Sequence, residues 1–425
     1  MLCFQRLILS ALPVISLLTA CTSQIPSTPV ATIMPTSTTT ATSTFTPTAL
    51  SIPTPSPFQT VSIPTFASFQ PVTSISLAAS EHVLNIVAES EDIIWLLTDQ
   101  RVMQYRQGTW TDYLPQFSGT IIGMDSKRHV WVVSDDRAQV SAWDGSVWVT
   151  LGPDAGWESP IPGNGMRLRW SLASDALGNV WLATDRDVRM FDGTKWKVFG
   201  LDDLGMPITE EEDVLSDTNL FFLKTSGYIW ANNCHWIGPG PYGGGGARWY
   251  DGHIWQGSDS PVDSGCATVV NEDSLGNIWL GVDSNLWRFD PLLKDWEQFP
   301  APEPPEDSWF GFINDLALDA VGNPWPELVR CGGASCYTGN IRYHFTGTEW
   351  LQIGDIGTDD SFLYFDATGQ GWVFASYGVF RITENQLEPV ADLSILKVTV
   401  SPSGMLWIMG VYEGETVLWT QVPDR

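Results

Sequence analysis

Basic residues are scarce. Lys and Arg number 21 against 49 Asp and Glu, a formal net charge of −28, and charged residues make up only 16% of the 425. Phosphate backbones and anionic lipid headgroups are recognised through Lys and Arg that replace counterions, so nucleic acid and anionic membranes are poor direct partners. Catalytic signatures are missing as well: there is no G-x-S-x-G, no H-E-x-x-H and no EF-hand loop. The glycine run in CHWIGPGPYGGGG is followed by no Lys-Ser/Thr, which excludes a phosphate loop. No C-x2-C pair occurs, which argues against a four-thiolate metal site. From Thr22 to Ser80 there is no charged residue at all.

What is present begins with an address. Residues 1–20 carry one charge, Arg6, and then the apolar run LILSALPVISLLTA, the pattern of a signal peptide. The run ends in Leu18-Thr19-Ala20-Cys21, which resembles the lipobox of bacterial lipoproteins; in that family the Cys becomes the lipid-bearing N-terminus. Residues 21–65 are dominated by Thr, Ser and Pro and cannot bury enough apolar surface to offset their conformational entropy. They are expected to form a disordered stalk, at most ~140 Å long at ~3.1 Å per residue. No second apolar span follows, so the membrane contact expected is the N-terminal lipid, on the extracytoplasmic side or cell surface.

Of the six Cys, Cys3 and Cys21 belong to the export segment, leaving Cys234, Cys266, Cys331 and Cys336. An even number in an exported chain suggests disulfides. The expected pairs are Cys331–Cys336 within one loop and Cys234–Cys266 between adjacent repeats, with two other pairings open.

From residue 66 onward the chain repeats itself. The clearest copies are SDALGNVWLATDRDVRMFDGTKWKVF (174–199) and EDSLGNIWLGVDSNLWRFDPLLKDWEQF (272–299). A Trp marks every copy, Trp95, Trp131, Trp181, Trp230, Trp279, Trp325, Trp372 and Trp407, at spacings of 36, 50, 49, 49, 46, 47 and 35 residues. Six residues before it stands an Asp in five copies, and three before it a Gly in six. In D-x-x-G-N the Asp caps local amides and the Gly supplies positive φ. Asp144-Gly145, Asp192-Gly193 and Asp251-Gly252 read as two-residue hairpin turns between third and fourth strands. Four short antiparallel strands per copy predict an all-β propeller over residues 66–425, with eight blades, or seven if the weak first copy is absorbed elsewhere. The last copy lacks its outermost strand, and FASFQPVTS (66–74) is a spare one, so the N-terminal strand is expected to complete the last blade.

GNVWLATDRDVRMFDG and GNIWLGVDSNLWRFD resemble the repeats of the two-component regulator propeller family, best in the third and fifth copies. The resemblance implies the propeller fold and an extracytoplasmic sensing or glycan-binding habit. No kinase or response-regulator region accompanies the repeats, so the family's signalling output does not carry over.

The long excursions expected lie between blades (153–168, 200–218, 257–267, 298–311) and between second and third strands (232–246, 326–340). In an up-and-down blade these emerge on one face, where loops on a rigid scaffold carry binding. That face offers the acids Glu210, Glu211, Glu212 and Asp213, then Glu303, Glu306 and Asp307, and the aromatics Trp236, Tyr242 and Trp309 beside His235. Aromatic faces stack on sugars and hold cations, so a glycan, peptide or protein ligand is expected there. No cofactor is expected; calcium on the acidic face is the one metal considered. The alternatives are an enzyme of lyase or glycosidase type, since streptogramin-lyase propellers have similar repeats and use His and Glu with a divalent metal, or a structural surface protein.

Overall fold

The computed structural model describes residues 66, 68–115, 117–135, 138–158, 171–184, 187–205, 219–223, 226–236, 243–257, 260–262, 265–305, 308–332, 335–357 and 361–422. The expected signal segment and stalk, Cys21 included, lie outside them. Among the described residues no helix is long and apolar enough to cross a membrane.

The strands form eight four-stranded antiparallel sheets, the blades of a propeller. In chain order the blades span 83–115, 119–151, 171–199, 219–256, 267–299, 309–357 and 361–391, and the eighth joins 394–421 to 69–75. In the first seven blades the strands run from inner to outer in sequence order, and inner strands of successive blades pack side by side around the ring. The eighth closes as expected: Phe69–Ile75 pairs antiparallel with Glu415–Gln421, with Phe69 opposite Gln421. Phe69 is buried and meets Trp372 of the seventh blade edge-on at 5.1 Å. The unpaired edge of Glu415–Gln421 is thereby covered.

Second strands sit between neighbouring blades and are buried on both faces. Val130–Ser134, Ile278–Val282 and Gly371–Ala375 have no exposed residue, so they read as continuous apolar runs and not as alternation. Outer strands such as Trp148–Leu151 put their middle residues in water. The repeated Trp bridges the gaps: Trp95 packs on Trp143 and Trp148 of the second blade, Trp131 on Phe191 and Trp196 of the third, and Trp181 on Tyr250 of the fourth. Trp407 of the eighth reaches Tyr105 of the first, which closes the ring.

The Asp six residues upstream does more than cap its turn. In the fifth blade Asp273 Oδ1 accepts the amides of Leu275 and Asn277 at 2.9 Å each, while Oδ2 accepts the Trp279 indole N–H at 3.1 Å. Asp125, Asp175, Asp319 and Asp366 bond their own tryptophans in the same way, at 3.0, 2.9, 3.3 and 2.9 Å. The first blade substitutes Glu89, 2.7 Å from the Trp95 indole. Burial opposes ionisation of Asp366, yet the bonds from Thr368, Trp372 and Gln370 hold its carboxyl below the ordinary range. The Gly of the motif holds positive φ, as at Gly276 (84°), and in the second blade Arg128 takes that left-handed slot at 67°.

Two expectations are corrected. The Asp-Gly pairs are not two-residue turns: Trp143 ends one strand and Trp148 begins the next, and Asp144 instead caps the amides of Ser146 and Val147 from a four-residue loop. The Val147 amide and the Ser146 hydroxyl hold its carboxyl at about 2. Second, 232–246 and 326–340 are mostly strand. Ile229–Trp236 pairs with Gly243–Tyr250, and Pro324–Gly332 with Ser335–Phe345, so the ladders lengthen where loops were expected. The glycines allow it: a Cβ on Gly245 would lie 2.7 Å from the Asn233 carbonyl oxygen.

Asp273→Ala strands the Trp279 indole and two amides, and is expected to cost about 2–4 kcal/mol by urea denaturation. In the eighth blade Ser401 holds the Asp position and the Trp407 indole has no partner among the described residues. Ser401→Ala should therefore cost only about 1 kcal/mol. Equal losses at the two positions would remove the indole bond from the account.

Candidate functional site

Strand direction divides the propeller into two faces. The turns from first to second and from third to fourth strands share one face, here the turn face. Connections from second to third strands and between blades share the other, the loop face.

Buried arginines hold the loop-face connections in place. Arg189, in the third strand of the third blade, makes a bidentate pair with Asp187, its Nε 2.7 Å from Oδ1 and its Nη2 2.9 Å from Oδ2. It also donates to the Glu158 carbonyl, and its guanidinium lies 4.6 Å above the ring of the buried Trp157. The equivalent residue of the fourth blade, Arg248, is 1% exposed and donates to the carbonyls of Leu204 (3.1 Å) and Gly205 (2.8 Å) at the end of the short helix Leu201–Leu204. Each arginine thus ties down the connection that enters its own blade, and the cation suits the carbonyl end of a helical turn. In the first blade Arg101 pairs with Glu81 through Nε at 2.7 Å and with Asp112 through Nη1 at 3.1 Å. Burial alone would push the Glu81 carboxyl up, but Arg101, the Ala78 amide and the Thr98 hydroxyl hold it below the ordinary range. These arginines were not singled out from the sequence. Arg189 and Arg248 share the signal Arg-x-aromatic-Asp-Gly, RMFDG and RWYDG, at one place in the repeat, and Arg101, in RVMQY, lacks it.

The sixth blade holds the densest buried polar cluster. Arg342 and Glu327 are both 0% exposed. Arg342 donates from Nη2 to Glu327 Oε2 (2.7 Å) and the Ser361 hydroxyl (2.8 Å), and from Nη1 to Asp315 Oδ2 (2.9 Å). Asn314 and Asn340 each donate to Glu327 Oε1 at 3.1 Å. Burial raises the Glu327 pKa against the pull of Arg342, and Asp315 adds to the rise. Both guanidinium Nη groups are engaged inside the wall between the sixth and seventh blades, so the cluster joins blades and does not present a cation to a ligand.

The loop-face residues expected to bind are only partly described. Glu210, Glu211, Glu212, Asp213 and Tyr242, with Glu306 and Asp307, lie outside the described residues. His235 and Trp236 close the strand Ile229–Trp236, in register with Gly244 and Gly243; their backbones alone are described. Trp309 begins the inner strand of the sixth blade, half-buried, opposite Cys331. Glu303 is exposed. Cys266 and Cys331 are each disulfide-bonded, and Cys331 stands opposite Cys336 in the ladder.

Two histidines sit against carboxylates, both in the turn-face motif. His129 Nδ1 lies 2.9 Å from Asp125 Oδ2, which ties it into the turn. His344 stacks on Trp325 at 4.1 Å and 8°, with Nε2 3.8 Å from Asp319. Among the described residues no group of three or more His, Cys, Asp or Glu is placed to hold a metal. A cleft of about 630 Å³ opens on the turn face between the fourth and fifth blades, lined by Ser226, Tyr228, Leu275, Asn277, Arg288 and Leu292.

No family model matches the chain, and no curated protein matches it. Solved structures do. YCF48 from Cyanidioschyzon merolae is 14% identical over 84% of this chain and 99% of that one, with a TM-score of 0.44. The extracellular domain of the hybrid two component system BT4673 from B. thetaiotaomicron is 14% identical over 81% and 51%, with a TM-score of 0.41. Virginiamycin B lyase from Staphylococcus aureus is 11% identical over 80% and 94%, with a TM-score of 0.41. None of these likenesses carries a ligand or a residue role to this chain.

A raised Glu327 pKa means that the folded protein binds its proton more tightly than the unfolded chain. The stability this adds is complete below the ordinary glutamate range and is lost as pH rises through the raised value. Glu327→Gln is expected to flatten that decline in a series of melting temperatures from acidic to neutral pH. Arg342→Met leaves two carboxylates without their cation and should cost about 3–5 kcal/mol at neutral pH. A Glu327→Gln series that parallels the parent would show that Glu327 is not the titrating group.

Proposed function

We propose that this chain is an extracytoplasmic binding or sensing propeller, anchored through a lipid on Cys21, that takes a glycan, peptide or protein ligand on its loop face. The observation that supports it best is the anchoring of long connections by Arg189 and Arg248, which makes one face of the ring a preorganised platform. Disulfides at Cys266 and Cys331 fit an oxidising, extracytoplasmic compartment. In this reading Cys331 pairs with Cys336 and Cys234 with Cys266, and the second pair staples the fourth blade to the entry of the fifth. Trp236, Tyr242 and Trp309 supply stacking faces beside His235, and Glu210, Glu211, Glu212 and Asp213 supply the negative rim, with calcium as the cation they would hold.

The first test is a thermal-shift screen of the full chain against oligosaccharides, cell-wall fragments and peptides, with and without calcium. A ligand of the native state at a hundredfold excess over its dissociation constant adds about 2.7 kcal/mol. A shift abolished by Trp236→Ala, or by replacing the acids at 210–213, supports the loop face. A shift that survives both places the ligand elsewhere. Cys21→Ser should move the chain from the membrane to the soluble extracytoplasmic fraction, and unchanged membrane association would overturn the anchor.

A further inference from the structure

The strand that closes the ring has a local hold on it. Phe69–Ile75 pairs with one neighbour, Glu415–Gln421, and the register shifts between Pro71 and Thr73, where Pro71 has no amide to give. Packing between the eighth and first blades is apolar: Trp407, Met409 and Leu418 share one cluster with Leu96, Met103 and Tyr105. The seams on either side add polar stitches. Asn85 Nδ2 donates to the Ile122 carbonyl (3.3 Å) between the first and second blades, and the Tyr364 hydroxyl donates to the Gly404 carbonyl (2.9 Å) between the seventh and eighth.

At the joint itself, residues 76–82 lead from the closing strand into the first blade, and the loop-face residues 98–101 clasp them. Arg101 Nη2 donates to the Ser76 carbonyl (3.3 Å), the first residue past the closing strand. Gln100 Nε2 donates to the Ser80 carbonyl (3.2 Å), and Asp99 Oδ1 accepts the His82 amide (3.0 Å). The Thr98 hydroxyl donates to Glu81 Oε1 (2.8 Å). Glu81 Oε2 in turn accepts the Ala78 amide (3.1 Å), which folds the connection on itself.

Charge concentrates at the centre of the clasp. Glu81 takes Arg101 Nε (2.7 Å) and Nη2 (3.0 Å), and both oxygens of Asp112 take Nη1 (3.1 Å each). The Glu81 side chain is 2% exposed. Asp99 and His82 are the other titratable groups of the connection and the turn. The strands beside them, Ile93–Thr98 and Phe69–Ile75, carry none.

We propose that Arg101 and Glu81 form an acid-released lock on the ring joint. Protonation of the carboxyls of Glu81 and Asp112 removes the charges that Arg101 is paired with. The connection 76–82 then loosens, and Phe69–Ile75 leaves the edge of Glu415–Gln421 before any other blade opens. Linkage fixes the direction. Burial pushes the Glu81 carboxyl up, but bonds from Arg101, the Ala78 amide and the Thr98 hydroxyl hold it below the ordinary range. The stability it adds is complete above the ordinary glutamate range and is lost as pH falls through the lowered value. Glu327 has the opposite sign, so acid strengthens its contribution while it releases the joint.

The test is hydrogen–deuterium exchange on the full chain, comparing amides of 69–75 and 416–421 with those of 278–282 in the fifth blade. Glu81→Gln keeps the shape of the side chain without its charge. At neutral pH it is expected to speed exchange in the first set by about tenfold or more and to leave 278–282 unchanged. The parent chain, acidified below the ordinary glutamate range and corrected for intrinsic exchange rates, should show the same selective opening with no substitution. Equal acceleration in every blade would make Glu81 a general stabiliser and overturn the lock. A closing strand unchanged in both measurements would overturn it too.

Discussion

The ring depends on one repeated arrangement, a tryptophan wedged between blades and tethered by its indole N–H to a carboxylate in the preceding turn. A large flat side chain fills the widening gap between twisted sheets, but its polar nitrogen would otherwise be buried without a partner. The carboxylate answers that need and at the same time organises the turn through two amides. Turn geometry, strand register and inter-blade packing are thus set by one hydrogen-bonded unit. The fourth and eighth blades do without the bond, Trp230 and Trp407 having no indole partner among the described residues. Packing alone suffices there because tethered blades lie on either side.

With the blades so tied, the two faces are free to differ. On the loop face, charge works inward: Arg189, Arg248 and Arg101 spend their donors on neighbouring carboxylates and carbonyls, and so turn connections into fixed surface. On the turn face, backbone amides are already satisfied by the Asp, and the side chains at the tips are released from structural duty. Such freedom explains how Lys127, Leu177, Leu275 and Thr368 can occupy one position.

The candidate binding face was legible as a location more than as a set of side chains. Loop lengths between strands showed which end of the blades carries the excursions. They misplaced part of the excursion itself, because Gly243–Tyr250 and Ser335–Phe345 extend their ladders through glycine-rich stretches that read as loop. Backbone hydrogen bonding is nearly indifferent to side chains at such positions. The cluster of Asp315, Glu327, Arg342 and Ser361 was invisible for a different reason. Its members come from four strands of two blades, and no local pattern ties an arginine to carboxylates 15 and 27 residues upstream.

By itself the sequence determined the all-β class, the number of blades and the closure by the N-terminal strand. These rest on interactions inside a single repeat, six residues from Asp to Trp, copied often enough to stand out from chance. Tertiary structure alone decided which arginines are buried and what they hold. Those outcomes depend on which repeats become neighbours when the ring closes. Residues distant along the chain are brought together only by that closure, so no periodicity within a repeat could have announced them.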